Sequence, residues 1–300
     1  MPSGSLPASA LVWASANAPA DVVDVVPVSG GITNTKWTLR LADGGTAVLR
    51  WAEPTAWGET GREHVVREAL ACRLLAGSPV VLPKLLACDP DGSSAGGPAN
   101  LLSWIPGASR LDPLSPASLT ELARAAVAIH AHAPPASHRP PVFSYRVPSD
   151  LQVPWWSQRP GLWRRAIELW RGDAPSTAHG LIHRDFHLGN VLWDAEKLSG
   201  IVDWAETSWG PSDLDVAHLC SDFAMVHTLA DAMAFRTAYL DQGGTLDSDA
   251  EAARYWMVSD ILGFLPDPAH ILPGFAGSRP DLTADDVRIG LEDLLELTLS

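Results

Sequence analysis

The amino-acid sequence predicts an α+β protein of two lobes, in which a small antiparallel β-sheet lobe with one helix precedes a larger, mainly helical lobe. Length is the first observation, because 300 residues exceed the usual size of one domain and leave room for two lobes that share a cleft. The second is a change of pattern: short stretches rich in β-branched residues dominate the beginning of the chain, and helical periodicity dominates the rest. We place the boundary at residue 105, which gives lobes of residues 1–105 and 106–300.

The first lobe is expected to be an antiparallel meander. Strands are predicted over residues 22–28, 36–41, 46–51, 82–87 and 100–105. Glycine-rich turns separate the first three strands, and a helix with apolar residues at helical spacing is predicted over residues 60–76, ending at Gly77. Residues 1–20 lack the basic start of a secretory signal, so we expect a loose lead-in to a cytoplasmic protein.

The second lobe is expected to be mostly helical. Helices are predicted over residues 119–132, 162–170, 213–240, 250–265 and 284–299, with a short β pair at 191–193 and 200–204. Thr283 and Asp286 form a variant of the capping box at the start of the last helix. The proline-rich residues 133–160 either line a site or form a surface loop. Two of the tryptophans nearby, Trp163 and Trp170, are seven residues apart and are expected to pack in the core.

Composition excludes several classes of function. The 35 acidic and 21 basic residues give a formal charge of −14 without any dense basic cluster, so we expect no nucleic-acid partner. No apolar run is long enough for a bilayer span, so we expect no membrane association. Cys72, Cys88 and Cys220 are scattered and odd in number, which is typical of a reducing compartment.

One loop carries a spacing that is typical of catalysis. His183, Asp185 and Asn190 follow the His-Arg-Asp-x-x-x-x-Asn pattern of kinase catalytic loops. In that pattern the carboxylate orients an attacking hydroxyl and accepts its proton, and the amide oxygen reaches a metal ion that bridges the phosphates. Asp203 ends an apolar strand shortly afterwards and is expected to face Asn190, so that the two hold Mg²⁺. The alternative for Asp203 is a carboxylate that caps a turn.

The first lobe contains the other half of a possible nucleotide site. Ser29-Gly30-Gly31-Ile32-Thr33-Asn34 joins two strands, and its backbone N–H groups can approach phosphates closely, although two glycines also suit an ordinary turn. Arg50 on the third strand and Glu68 on the following helix match a cation that binds the α- and β-phosphates and an acid that orients it. Arg50 stands where lysine is usual. Surface ion pairing is the alternative for both residues.

At this point the chain resembles the aminoglycoside phosphotransferase and choline kinase-like family, which is related to the protein kinases. The shared features are Gly30-Gly31-Ile32-Thr33-Asn34, Val48-Leu49-Arg50, Arg67-Glu68-Ala69, the hinge-like residues 101–107, the loop from His183 to Asn190, Val202-Asp203-Trp204 and Asp215-Val216-Ala217. The resemblance covers nearly the whole chain. It implies a bilobal protein kinase-like fold.

The resemblance also implies roles for individual residues. Asp185 would be the catalytic base, with His183 and Asp215 supporting its loop. Asn190 and Asp203 would bind Mg²⁺. Gly30, Gly31, Thr33, Asn34 and Arg50 would form the site for ATP or GTP, with Glu68 orienting Arg50, and the nucleotide base would meet the backbone from Ser103 to Ile105. Arg184 departs from the family, since many relatives have glycine there.

The predicted function is transfer of the γ-phosphate of ATP or GTP to a hydroxyl of a small molecule, with an aminoglycoside-type antibiotic as the favoured acceptor. The segment between Asp203 and Asp215 is too short to bind a protein substrate. One alternative is a metabolite kinase for choline, homoserine or a sugar, and another is a non-catalytic nucleotide-binding protein. A metal-dependent hydrolase using His183 and His187 is a further alternative. His218 and His227 are expected to be ordinary core or surface histidines.

Overall fold

The chain, described by a computed structural model over residues 6–28 and 35–300, divides into two units. The first unit has the bounds Met1–Pro106 and Gly200–Thr207, and the second has the bounds Gly107–Ser199 and Ser208–Ser300. Only the described residues inside these bounds are discussed below.

The first unit is built on an antiparallel sheet. Its strands are β1 (Val22–Pro27), β2 (Thr35–Leu41), β3 (Thr46–Trp51), β4 (Leu85–Asp89) and β5 (Ala99–Ser103). They lie in the order β1-β2-β3-β5-β4, and every neighbouring pair is antiparallel. The register sets Lys36 on β2 opposite Arg50 on β3, and Arg50 opposite Asn100 on β5. Three polar side chains therefore lie side by side across the sheet.

Two helices accompany this sheet, so the expectation of one helix is wrong. Helix α1 (Ala8–Asn17) forms where a loose lead-in is predicted, because Ala10 and Ala14 are completely buried in the sheet's hydrophobic core. Helix α2 (Pro54–Leu74) begins earlier than predicted, with Pro54 in its first turn and a break at Gly58, whose φ is 47°.

Residues 200–207 belong to the first unit, although the sequence predicts them in the second lobe. The N–H of Ile201 donates to the carbonyl of Val81 at 2.8 Å, and Arg67 donates to the carbonyl of Thr207 at 3.3 Å. The predicted strand over residues 200–204 is also wrong in its bounds, because β9 (Lys197–Ile201) ends before Asp203. Asp203 has left-handed φ and ψ of 66° and 58°, which a continuing strand cannot accommodate.

The second unit is mainly helical. Its helices are α3 (Pro116–His130), α4 (Pro160–Trp170), α5 (Ser212–Val226), α6 (Leu229–Asp241), α7 (Ala250–Leu262), α8 (Leu272–Phe275) and α9 (Ala284–Leu299). The single helix predicted over residues 213–240 is two helices, because the Thr228 hydroxyl accepts the N–H of Asp231 and caps α6. The predicted capping box of Thr283 and Asp286 is confirmed. In the part of the chain that the structure describes, no helix is long and apolar enough to cross a membrane.

Helix α5 lies at the centre of this unit and packs against α6, α7 and α9. Trp163 on α4 is completely buried, and Trp170 stacks on Tyr255 with ring centroids 5.5 Å apart, which confirms the predicted core packing of these two residues. The predicted α+β class is confirmed.

Short strands flank the loop with the predicted catalytic residues His183, Asp185 and Asn190. They are β6 (Ala108–Ser109), β7 (Gly180–Ile182), β8 (Val191–Asp194) and β10 (Ser208–Gly210). Strand β7 pairs with β10, and β8 pairs with β6. Residues 183–190 connect β7 to β8, so both ends of the loop are held by strand pairing.

Candidate active site

Asp215 on α5 holds the beginning of the 183–190 loop. Its two carboxylate oxygens accept the N–H groups of His183 and Arg184, each at 2.7 Å, and His130 Nε2 lies 3.1 Å from Oδ2. Burial by itself would raise the pKa of Asp215, but these hydrogen bonds and the neighbouring histidines hold that pKa below its usual value. Asp215 therefore stays ionised and fixes the loop backbone.

This anchoring explains the departure at Arg184. Its φ is 70°, in the left-handed region that costs a residue with a side chain about 1–2 kcal/mol and costs glycine almost nothing. The Arg184 side chain is buried and donates from Nη2 to the carbonyl of Ser144 at 3.2 Å. The hydrogen bond to Asp215 and this contact offset the cost of the backbone conformation.

Asp185 lies on the exposed side of the loop, with 29% of its side chain accessible. Arg146 Nη1 lies 2.8 Å from Oδ1, and the Nε2 atoms of His187 and His218 lie 3.7 and 3.8 Å from Oδ2 and Oδ1. Groups that carry or can take up positive charge thus surround the carboxylate. A carboxylate in this position can accept a hydrogen bond from a hydroxyl.

Asn190 is oriented by Asp185. Its Nδ2 donates to the backbone carbonyl of Asp185 at 2.9 Å and to the Oδ2 atom of the same residue at 3.2 Å. Because both bonds use the amide nitrogen, Oδ1 points the other way as a carbonyl-type oxygen ligand. Such an oxygen suits a hard cation such as Mg²⁺.

The two histidines of the loop serve its backbone. Nδ1 of His183 accepts the N–H of Asp185 at 3.3 Å, and Nδ1 of His187 accepts the N–H of Gly189 at 3.1 Å. These bonds suit a role in shaping the loop, as predicted for His183, better than the zinc-ligand role of the hydrolase alternative.

Arg146 and His218 lie near Asp185 and are not among the predicted site residues. Arg146 comes from the proline-rich segment, where an isolated basic residue is the available signal. Nδ1 of His218 lies 3.0 Å from Oδ1 of Asp260, and the Ser221 hydroxyl donates to the other carboxylate oxygen at 2.8 Å. His218 and Ser221 are three residues apart on one face of α5, a spacing visible in the sequence.

Asp260 is a buried carboxylate that orients the His218 ring. Burial would raise its pKa, but the charges of His218 and Arg184 hold the pKa of Asp260 below its usual value. An ionised Asp260 fixes the ring, and Nε2 of His218 then faces Asp185.

In the first unit, Arg50 and Glu68 form a buried ion pair, with Nε to Oε2 at 2.9 Å and about 2% of each side chain exposed. This burial rules out the surface ion pairing considered above. Asn100 Nδ2 donates to the same Glu68 oxygen at 3.0 Å and to the carbonyl of Val65 at 2.9 Å, which ties α2 to β5.

Asp203 joins this group from the segment after β9. Arg50 Nη2 lies 2.7 Å from its Oδ1, and Lys36 Nζ lies 2.7 Å from its Oδ2. Burial would raise the pKa of Asp203, but the two cations hold it well below its usual value. Burial would likewise lower the pKa of Arg50, but the two carboxylates outweigh burial and raise it, so the guanidinium stays charged.

Asp203 and Asn190 are the residues that could hold a metal. A carboxylate and an amide oxygen are ligands that Mg²⁺ prefers. The left-handed conformation of Asp203 is a further sign of a functional position, since such strain in a residue with a side chain is concentrated at binding sites. Asn190 belongs to the second unit and Asp203 to the first, and their joint action stays a prediction.

The remaining predicted nucleotide contacts have different outcomes. Gly30, Gly31, Thr33 and Asn34 lie outside the described residues. Ser103 ends β5, and its N–H donates to the carbonyl of Lys84 at 2.8 Å, so an adenine contact there would use another group of the backbone. Ile105 is buried, and the hinge assignment stays a prediction.

A family profile settles where this chain belongs. The profile of the phosphotransferase enzyme family, APH, matches residues 24–256, which is most of the sequence. The chain belongs to the phosphotransferase enzyme family. The resemblance stated from the motifs is thereby confirmed.

Two solved phosphotransferase structures have the same fold. The macrolide 2'-phosphotransferase of Brachybacterium faecium superimposes with a TM-score of 0.60 at 16% identity, over 94% of this chain and 97% of that one. Spectinomycin phosphotransferase, solved with ADP and spectinomycin, has a TM-score of 0.64 at 13% identity, over 97% of this chain and 96% of that one. These likenesses confirm the predicted bilobal, kinase-like fold of this phosphotransferase.

A shorter match is closer in sequence. Hygromycin-B 4-O-kinase of Escherichia coli is 39% identical over 53 residues, which are 18% of this chain and 15% of that relative. The match therefore spans less than a sixth of the relative's length.

Proposed function

We propose that this phosphotransferase moves the γ-phosphate of ATP or GTP to a hydroxyl of a small-molecule antibiotic. The observation that carries the proposal is the geometry of the 183–190 loop, where Asp215 fixes the backbone and Asn190 is oriented by Asp185. Membership of the family supports the reaction type.

Asp185 is proposed to hold the acceptor hydroxyl and to take its proton as the oxygen attacks the γ-phosphorus. The bond from that phosphorus to the oxygen of the leaving diphosphate breaks in the same step. Arg146 and His218 lie beside Asp185 and would hold its carboxylate in position for the acceptor hydroxyl. Most of the rate enhancement is expected from this positioning and charge neutralisation.

Asn190 Oδ1 and the Asp203 carboxylate would hold Mg²⁺, which neutralises phosphate charge when bound. Arg50 and Glu68 keep Asp203 in place within the first unit. The nucleotide donor is supported by the ADP in the spectinomycin phosphotransferase structure. The three scattered cysteines support a location in the cytoplasm. The acidic charge supports the absence of a nucleic-acid partner, and we propose no membrane partner and no protein substrate.

A pocket in the second unit is the proposed acceptor site. Its volume is about 330 Å³, and its lining consists of Pro148, Asp150, Gln152, Val153, Pro154, Trp155, Leu265 and Pro266. Two sequence neighbours connect this pocket with Asp185. Pro148 of the lining is two residues after Arg146, which contacts Asp185. Leu265 of the lining follows Phe264, and the Phe264 ring stacks on His218.

The pocket's chemistry favours an antibiotic with an amine over choline. Asp150 supplies a carboxylate for an ammonium group, and Trp155 supplies an apolar face. Among the described lining residues Trp155 is the one aromatic side chain, so no aromatic cage of the kind that suits choline surrounds the pocket. The relatives named for hygromycin B, macrolides and spectinomycin support an antibiotic acceptor, and an aminoglycoside type remains our proposal.

The test is a screen for acceptor-dependent nucleotide consumption. The purified protein is incubated with Mg²⁺, ATP or GTP and a panel of aminoglycosides, macrolides, choline, homoserine and sugars. The expected result is release of the nucleoside diphosphate with an antibiotic, together with a product that has gained one phosphoryl group by mass spectrometry. The Asp185→Asn variant is the matched control. Nucleotide binding without turnover on any acceptor would favour the non-catalytic alternative, and turnover on choline or homoserine alone would favour a metabolite kinase.

A further inference from the structure

Two cations from neighbouring strands meet the carboxylate of Asp203. Lys36 on β2 reaches Oδ2, and Arg50 on β3 reaches Oδ1, each at 2.7 Å. Lys36 and Arg50 are register partners in the antiparallel sheet, so their side chains leave the same face about 5 Å apart. A lysine on β2 can therefore reach the same region as a cation on β3.

The two cations are held to different degrees. Arg50 is buried and bound at two positions, to Glu68 through Nε and to Asp203 through Nη2. Glu68 is itself fixed by Asn100. The Lys36 side chain is 19% exposed, and within residues 6–28 and 35–300 its one ion-pair partner is Asp203. Lysine also has a long flexible stem with a compact charge.

This difference decides which cation can move. When Asp203 takes a metal ion, the positive charges already bound to it are repelled. If Arg50 left, Glu68 would be a buried carboxylate without a cation beside it, and this would cost folding free energy. Lys36 can turn away, because Asp203 stays paired with Arg50 after the ammonium leaves. Its ammonium then needs an anion close to Asp203.

We propose that Lys36 is the residue that binds the nucleotide phosphates, and that Arg50 is a positioning residue that holds Asp203. This inference rests on the proposed function of the same site. It replaces the prediction that Arg50 grips the α- and β-phosphates. Lys36 is paired with Asp203 in the structure, and on nucleotide binding it would exchange this carboxylate for phosphate oxygens.

The test compares Lys36→Met with Arg40→Met as matched control. Arg40 lies four residues further along β2 and is an exposed cation whose partner, Asp24, is also exposed at the surface. Affinity for ATP with saturating Mg²⁺ is measured by calorimetry, and the melting temperature is measured without nucleotide. We expect Lys36→Met to weaken ATP binding by about ten- to a hundredfold, since a charge-assisted contact is lost, with a melting temperature close to that of the parent. Arg40→Met should bind ATP as the parent does.

Arg50→Lys supplies the complementary measurement. It should lower the melting temperature and kcat while the KM for ATP stays within about threefold of the parent, because a positioning residue does not touch the phosphates. Parent-like ATP affinity in Lys36→Met would overturn the proposal, and weakened affinity in Arg50→Lys would then restore Arg50 as the phosphate contact. Failure of the parent protein to bind any nucleotide with Mg²⁺ would instead contradict the proposed function.

Discussion

Asp213 and Asp215 lie two residues apart in the first turn of α5, and replacing each with asparagine should affect stability very differently. Both are buried carboxylates. Asp215 accepts two backbone N–H groups at 2.7 Å, and its pKa is lowered. Asp213 shares the one N–H of Asp247 between its oxygens at 3.2 Å each, and its pKa is raised because burial outweighs this weaker bond.

The magnitude follows from the hydrogen bonds. In Asp215→Asn the side-chain amide has one oxygen, which can accept only one of the two backbone N–H groups. That hydrogen bond is no longer charge-assisted. The other backbone N–H faces the NH₂ group of the new asparagine, so two donors meet and no bond forms. Charge-assisted bonds contribute about 1.5–3 kcal/mol, and a buried unpaired donor costs about 1–3 kcal/mol. We expect a loss of about 2–4 kcal/mol at pH 7, which lowers the melting temperature by about 5–10 °C. Asp213→Asn should change stability by less than about 1 kcal/mol, because a neutral side chain suits that site.

The pH dependence separates the two carboxylates further. A lowered folded-state pKa contributes stability above the unfolded pKa, near 3.9, that is lost as pH falls through the folded value. The stability gap between the parent and Asp215→Asn should therefore stay constant from pH 7 to about pH 5 and close below about pH 4. For Asp213 the sign is reversed, and the parent should gain stability relative to Asp213→Asn as pH falls through the raised pKa.

Urea or thermal unfolding, followed by circular dichroism from pH 3 to 8, measures both gaps. Equal losses for the two variants at pH 7 would refute the assignment of Asp215 as the ionised anchor of the loop. A gap for Asp215→Asn that is independent of pH would refute the lowered pKa as its cause.

Three further outcomes are expected. Asp185→Asn should lower turnover by roughly a hundredfold or more while ATP affinity measured by calorimetry stays near that of the parent; near-normal turnover would exclude Asp185 as the base. Gly290→Ala should lower the melting temperature strongly, because a β-carbon there would collide with the backbone carbonyl of Ala224 on α5. Gly161→Ala on α4 is the control: a β-carbon there has no atom within 4 Å, so the melting temperature should be unchanged or raised. Glu292→Ala should cost about 2–4 kcal/mol in urea unfolding, since it leaves the buried Trp163 Nε1–H without its acceptor at 2.8 Å; a loss below about 0.5 kcal/mol would contradict this.

Local patterns predicted much of the secondary structure. The strand predicted over residues 46–51 and the helix predicted over residues 284–299 have the bounds of β3 and α9. Alternation and a capping box involve residues a few positions apart, so the sequence displays them directly. Helix α1 was not predicted, because the burial of its alanines depends on the sheet that covers them. The break at Thr228 was missed because the apolar pattern runs through it.

The family and the loop from His183 to Asn190 can be identified from the sequence alone, because the chemistry of this loop depends on residues within a few positions of one another. The sequence also indicated Asp203 and the pairing of Arg50 with Glu68. Which charges meet these groups was decided by the tertiary structure. Lys36 and Asp203 are 167 residues apart in the chain, and Arg146 and Asp185 are 39 apart. Contacts over such separations are set by sheet register and by the packing of whole segments, and no local pattern encodes either one.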